Sequence, residues 1–214
     1  MDEVIVIISN IGLAILVVNT LVYFTGFTQN SKAYKFLCLY LLCSSIVQII
    51  MFIMAYSGYN NLFLSGYHLF TQFILLSCFF YSLFKPLSKI KSITVKYVSI
   101  IVTTGLIVQY FFDPELYYNF NPTGFLITSL LLITYAVLYI YELLTQKLLF
   151  NFVTIGAFIY LTSSCVIFTS STSMVSLSQE MFSLIWQINA VLFIIYQLLI
   201  FWEWKQHFLP KKIK

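Results

Sequence analysis

The sequence predicts an all-α membrane protein, a bundle of seven transmembrane helices with its N-terminus outside the cell and its C-terminus in the cytoplasm. Hydrophobic residues make up 61% of the 214 residues and charged residues only 8%, whereas charged residues are about 25% of a soluble domain. All eleven basic residues are lysines, and they follow the first, third, fifth and seventh apolar runs. Because short lysine-rich loops stay in the cytoplasm, this alternation predicts the topology.

Seven apolar runs define the predicted helices of a single domain, residues 1–214. They cover 4–24, 36–56, 68–84, 97–112, 125–144, 149–169 and 182–204, and a short basic tail follows at 205–214. A helix needs about 20 apolar residues to cross the hydrocarbon core of a bilayer. The first run follows Asp2 and Glu3 rather than the basic residues that open a signal peptide, so we expect it to be retained as a helix.

The second, third and fourth helices have lysines at one end and lysine-free connections at the other. Lys32 and Lys35 precede the second helix, and residues 57–67, which contain no lysine, separate it from the third. Lys85 follows the third helix, and Lys96 precedes the fourth, which is the shortest. This pattern places the connections on alternate sides of the membrane.

The fifth, sixth and seventh helices repeat this alternation. Lys147 separates the fifth helix from the sixth, and the lysine-free residues 170–181 separate the sixth from the seventh. Trp202 and Trp204 end the seventh helix, as expected for aromatic rings at the membrane interface. All four prolines lie in connections or in the tail, so no helix is predicted to be broken.

Polar residues within the apolar runs concentrate in the half of the bundle that is predicted to face outside. Such residues in a membrane span find partners or bind something. We expect an outward-facing pocket with Ser44 and Gln48 as its floor, since these two residues share a helical face. The candidate ligand-binding set is Asn10, Ser44, Gln48, His68, Gln72, Gln109, Ser163 and Asn189. Hydrogen bonding between helices is the alternative explanation for the same residues.

Acidic residues provide no proton path and no catalytic pair. Glu142 and Glu203 lie near the cytoplasmic ends of their helices, where Lys147 and Lys205 are expected to form solvated ion pairs with them. No carboxylate lies in mid-bilayer, which disfavours a proton pump or an ion-coupled carrier. The seventh helix contains no lysine for a retinal Schiff base. We therefore predict no catalytic residues.

Cofactor, metal and nucleic-acid sites are also not expected. The four cysteines lie in apolar runs without CxxC spacing, and only two histidines are present, which disfavours disulfides and a zinc site. The net charge of +4 comes from lysines spread along the cytoplasmic rim rather than gathered in a nucleic-acid-binding patch. Anionic lipid headgroups of the cytoplasmic leaflet are the expected partner of these lysines.

The last third of the chain resembles a known group of membrane proteins. The segments LFNFVTIGAFIY at 149–160, LIWQINAVL at 184–192, FW at 201–202 and YIYELL at 139–144 carry the resemblance. They look like uncharacterised seven-helix inner-membrane proteins of Bacteroidetes-type bacteria, which are similar to the membrane sensor portion of some histidine kinases. The resemblance implies a bacterial inner-membrane location and a sensor role, and it implies no catalytic residues.

Three functions are compatible with these patterns. The leading hypothesis is a non-enzymatic sensor or receptor that acts through a membrane or cytoplasmic protein partner, because polar residues favour the outer half and no output domain is attached. A small permease or channel is the second, since the first three and last three helices share an orientation and permit a 3+1+3 arrangement. The third is a structural subunit of a larger inner-membrane complex. The ligand is not predicted.

Overall fold

The computed structural model describes residues 3–173 and 179–209. They form seven α-helices: α1 Glu3–Phe24, α2 Lys32–Tyr56, α3 Phe63–Phe84, α4 Lys89–Phe112, α5 Pro122–Thr145, α6 Asn151–Ser173 and α7 Gln179–His207. A short 3-10 helix, Pro114–Tyr117, lies between α4 and α5. Within the two described ranges there is no strand, so the predicted all-α fold is confirmed.

Six of the helices are long and apolar enough to cross a membrane. They are α1, α2, α3, α4, α5 and α7, whereas the described apolar part of α6, Asn151–Ile167, is shorter. The chain is therefore a multi-pass membrane protein. A seventh span through α6, and the side on which each terminus lies, stay predictions.

Every helix except α6 begins earlier than hydropathy predicted, and in α2, α4 and α5 a polar cap rather than the apolar run determines the start. Ser31 accepts a hydrogen bond from the backbone N–H of Tyr34 and thereby caps α2. Ser88 caps α4 in the same way, and Asn121 caps α5 just before Pro122. Such caps satisfy backbone N–H groups that have no partner within the helix. The helices therefore extend beyond the hydrocarbon-spanning segments predicted to start at 36, 97 and 125.

Six helices pack as a closed ring, and α4 lies outside it. The ring runs from α1 through α2, α3, α5, α6 and α7 and back to α1. α4 packs mainly on α3 and reaches α5 and its cap through a few side-chain contacts along its length. The first three and last three helices thus form two halves of the ring, connected through α4.

The lysine-bearing ends of the helices lie together at one end of the bundle. Tyr23 near the end of α1 packs against Tyr34 near the start of α2 and against Phe208 after α7. Lys91 at the start of α4 forms an ion pair with Glu142 near the end of α5. We call this the lysine end, defined by Lys32, Lys85, Lys91 and Lys205, and the opposite end the distal end.

Aromatic rings fill the interior of the ring in its lysine half. Phe208 lies 4.7 Å from Tyr34 and 5.3 Å from Phe150, measured between ring centroids. Phe150 in turn lies 5.3 Å from Phe79 of α3, so these contacts cross the ring. We define the aromatic plug as the buried residues Tyr23, Tyr34, Phe79, Phe84, Tyr139 and Phe150. The plug closes the centre of the bundle at the lysine end.

Candidate functional site

A cavity of about 320 Å³ lies inside the ring in the distal half of the bundle. Five of the six ring helices line it, and we call it the central cavity. Its lining residues include Met51 of α2, Leu69 of α3, Phe125 and Leu132 of α5, Tyr160 of α6 and Trp186 of α7. Ligand sites in proteins are typically concave and mostly apolar, with volumes of roughly 300–1,000 Å³. The central cavity is at the small end of that range.

The polar groups of the central cavity come mainly from α3. His68 and Gln72 are four residues apart, so both side chains project from one face of the helix, and both line the cavity. Gln72 is buried, and the buried Nδ1 atom of His68 has no hydrogen-bond partner among the residues that the structure describes. An unsatisfied buried polar atom costs about 1–3 kcal/mol. A bound molecule that donates a hydrogen bond to this nitrogen would remove that cost.

The remaining polar lining is small and comes from hydroxyl groups. Ser65 of α3 and Thr128 and Ser129 of α5 border the cavity. The Thr128 hydroxyl already donates to the backbone oxygen of Gly124, at 2.8 Å. His68 and Gln72 are therefore the main groups that can orient a ligand, while the apolar walls supply contact area.

The cavity does not continue toward the lysine end. Tyr160 at its base stacks on Tyr196, with ring centroids 5.4 Å apart and planes at 9°. Phe73, which also lines the cavity, is fully buried, and so is Tyr196, the stacking partner of Tyr160. The aromatic plug fills the space beyond. The arrangement can enclose a small molecule at the distal end without providing a path through the bundle.

Two of the predicted site residues lie elsewhere, in a groove between α1 and α2. Asn10 and Gln48 line this second space, of about 360 Å³. Met51 borders both spaces, and its backbone oxygen accepts a hydrogen bond from Asn61 at 2.9 Å. The single pocket expected from the sequence is therefore two separate spaces, and Gln48 is not the floor of the central cavity.

The other predicted site residues are bonded or packed between helices. Gln109 accepts a hydrogen bond from Asn121 at 3.1 Å, which joins the end of α4 to the start of α5. Asn189 accepts one from Ser164 at 3.0 Å, between α7 and α6. Ser44 is buried in α2, and Ser163 is partly buried in α6, and neither lines the two spaces described above. For Gln109 and Asn189, interhelical hydrogen bonding explains the placement.

Polar residues of the lysine half also pair with one another. The Asn19 amide donates to the backbone oxygen of Gln197 at 2.8 Å and to its side-chain oxygen at 2.9 Å. Both residues are fully buried. The hydroxyl groups of Thr20 and Ser45 lie 2.7 Å apart, which joins α1 to α2. These contacts hold the ring together in its lysine half.

The prediction that Glu142 and Glu203 form ion pairs with Lys147 and Lys205 is wrong. Glu142 pairs with Lys91 rather than Lys147. Glu203 is fully buried, and its two carboxylate oxygens accept hydrogen bonds from the backbone N–H groups of Phe150 and Phe152, at 2.7 and 2.9 Å. It caps the start of α6, where the sequence provides Phe150 instead of a Ser, Thr, Asp or Asn cap. That missing cap was the signal that could have identified the role of Glu203.

The structure also identifies cavity residues that the sequence did not distinguish. They are the aromatic residues Phe125, Tyr160 and Trp186, which in the sequence look like ordinary core residues. They line the cavity because of the helix faces that turn inward, which the sequence does not give. Among the residues that the structure describes, no three His, Cys, Asp or Glu side chains are close enough to hold a metal ion.

No protein-family model, curated protein or solved structure matches this chain.

Proposed function

We propose that this protein is a non-enzymatic receptor or sensor that binds a small, largely apolar molecule in the central cavity and acts through a separate protein partner. The central cavity carries the proposal, because it combines apolar walls with an unpartnered histidine nitrogen and a buried glutamine. Buried polar groups that converge on an apolar cavity are typical of ligand sites.

The lining chemistry indicates the class of ligand. Aromatic walls such as Phe125, Tyr160 and Trp186 favour a flat ring, which packs in offset or edge-on contacts. The Nδ1 atom of His68 favours a hydrogen-bond donor on that ring. We therefore expect a small aromatic molecule with an N–H or O–H group, rather than a sugar or an ion.

The proposed setting is a bacterial inner membrane, with seven spans and the N-terminus outside. The grouping of the described lysines at one end of the bundle supports a cytoplasmic lysine end. In that orientation the ligand reaches the central cavity from outside the cell, and the lysine end faces the partner protein. The aromatic plug separates the two faces.

Binding of indole and phenol, with benzene as the purely apolar comparison, tests the cavity. The protein is purified into lipid nanodiscs, and binding is followed by saturation-transfer NMR. We expect indole or phenol to bind at least tenfold more tightly than benzene, and His68→Phe to abolish this preference. Gln48→Leu in the α1–α2 groove is the control and leaves binding unchanged. Failure of all three compounds to bind the unmodified protein would contradict the proposed cavity chemistry.

Recovery of native complexes in mild detergent tests the partner. A receptor that acts through another protein is recovered with one stoichiometric partner. Isolation of the chain alone from its native membrane would count against this proposal and equally against a structural subunit of a larger complex.

A small permease is the second candidate, because the ring consists of two three-helix halves connected through α4. Transport requires a polar path past the central cavity, and the Asn19–Gln197 pair and the aromatic plug occupy that region. Solute flux in proteoliposomes distinguishes the two candidates. Flux of a small polar solute that exceeds that of empty vesicles would favour the permease and contradict a closed bundle.

A further inference from the structure

A groove lies outside the ring, where α4 stands beside α2 and α3. It has a volume of about 600 Å³ and we call it the α2–α4 groove. Ile74, Cys78 and Tyr81 of α3 form its floor, Phe36 of α2 borders one side, and Ile100 of α4 borders the other. The groove faces outward from the ring, so its natural surroundings are lipid.

Three lysines from three different helical segments border the groove at the lysine end. They are Lys32 at the start of α2, Lys85 after α3 and Lys96 in the second turn of α4. All three are exposed, and no acidic residue in the described ranges forms an ion pair with any of them. Their neighbour Lys91, by contrast, is paired with Glu142. The rim of the groove is therefore a cluster of uncompensated positive charge.

The groove has the dimensions of one leaflet of a bilayer. Lys85 and Ile74 are eleven positions apart, which corresponds to about 16 Å along a helix. Half of a bilayer's hydrocarbon core is about 15 Å. An acyl chain whose headgroup lies at the lysines would thus extend along the groove to the middle of the membrane.

Small polar groups lie along the apolar groove and leave room for a chain. Ser77 and Thr104 line it below the lysines, and the buried Ser77 oxygen has no hydrogen-bond partner among the described residues. Ser82, which also lines the groove, is only three positions from Lys85 and so lies near the depth of a lipid's glycerol and ester oxygens. Basic pockets between transmembrane helices are known to bind anionic lipid headgroups.

We infer that the α2–α4 groove binds one anionic phospholipid, with its phosphate group at Lys32, Lys85 and Lys96 and an acyl chain along α3. The inference is independent of the proposed receptor function. A free phosphate would use the lysines but not the apolar length of the groove, and a zwitterionic lipid would place its own positive charge beside the lysine cluster.

Native mass spectrometry tests the inference on the full chain, purified from nanodiscs that contain equal amounts of phosphatidylglycerol and phosphatidylcholine. We expect one phosphatidylglycerol molecule to be retained at least tenfold more than phosphatidylcholine. The triple variant Lys32→Gln, Lys85→Gln, Lys96→Gln should lose this preference. The control variant Lys35→Gln, Lys89→Gln, Lys147→Gln removes the same charge from the same end of the bundle and should retain it.

A second variant tests the apolar part of the site without changing any charge. Ile100 and Thr104 are exposed positions of α4 that line the groove. The double variant Ile100→Trp, Thr104→Trp should therefore fill the groove without disturbing the core. Retention of the lipid should then fall about tenfold. The inference would be overturned if the unmodified protein retained both lipids equally. It would also be overturned if the groove lysine variant and the control lysine variant lost the preference for phosphatidylglycerol to the same extent. Complete displacement of the lipid by glycerol phosphate at equal concentration would show a site for a soluble anion instead.

Discussion

Glu203 is a buried carboxylate whose function is to hold the start of α6 against α7. Its oxygens accept two backbone hydrogen bonds, and His207 lies 3.7 Å away on the next turn. Phe150 has a φ of 64°, which is uncommon for a residue other than glycine, and its N–H group is one of those bonded to Glu203. The carboxylate thus supports a backbone conformation that the local sequence does not favour.

Glu203→Gln should lower the free energy of unfolding by about 2 kcal/mol, since hydrogen bonds to charged groups contribute roughly 1.5–3 kcal/mol each. The amide keeps one acceptor oxygen but turns its NH₂ group toward a backbone donor. Denaturant titration in detergent micelles, followed by tryptophan fluorescence, measures the change.

Glu142→Gln is the matched control, because this glutamate lies at the same end of the bundle in a partly exposed ion pair. Such pairs contribute less than about 1 kcal/mol. Equal losses in the two variants would show that the cap is no more important than a surface pair.

At the scale of the helices, the contact between α6 and α7 depends on a glycine. A Cβ atom at Gly156 would lie 2.9 Å from Cδ2 of Tyr196 and 3.1 Å from Cδ1 of Leu199. Tyr196 is fully buried and stacked on Tyr160, so its ring has no room to move. Small residues allow transmembrane helices to approach closely in this way.

Gly156→Ala should therefore destabilise the bundle by about 1–3 kcal/mol, the usual cost of overpacking a core. Gly105→Ala in α4 is the control, since a Cβ atom there would have no neighbour within 4 Å. Replacing this mid-helix glycine should be neutral or stabilise by up to about 1 kcal/mol. The same unfolding titration compares both variants, and a loss of similar size at Gly105 would contradict the close-packing explanation.

At the scale of the whole molecule, alternating helix directions place the described lysines at one end of the ring. Each lysine near the membrane gains about 1 kcal/mol from the anionic cytoplasmic leaflet. The connections at the distal end contain no lysine, including residues 57–62 between α2 and α3. The charge distribution of the bundle therefore favours one orientation over its inverse.

Cysteine labelling from outside intact cells tests this orientation after the four native cysteines are replaced. Asn60 and Asn119 are exposed at the distal end, and a cysteine at either position should be labelled. Ser31, Ile90 and Gln206 are exposed at the lysine end and should be protected. Ser92 is buried and is therefore not a suitable position. Labelling of the second set instead of the first would reverse the proposed topology.

The amino-acid sequence alone determined the helical class, the order of the helices and the grouping of the lysines. These are local properties, because each residue's hydropathy and charge act on its own stretch of chain relative to the bilayer. Helix starts were less predictable, since caps such as Ser88 lie in polar stretches beyond the apolar run.

Only the tertiary structure decided that α4 lies outside the ring and that Glu203 caps α6. It also decided that His68 and Gln72 share a cavity, whereas Gln48 faces another groove. Lipid tails are as apolar as leucine, so a membrane helix can carry similar residues on its lipid face and on its packed face. The side chains that meet are therefore selected by the fit between helices, which no single stretch of sequence contains.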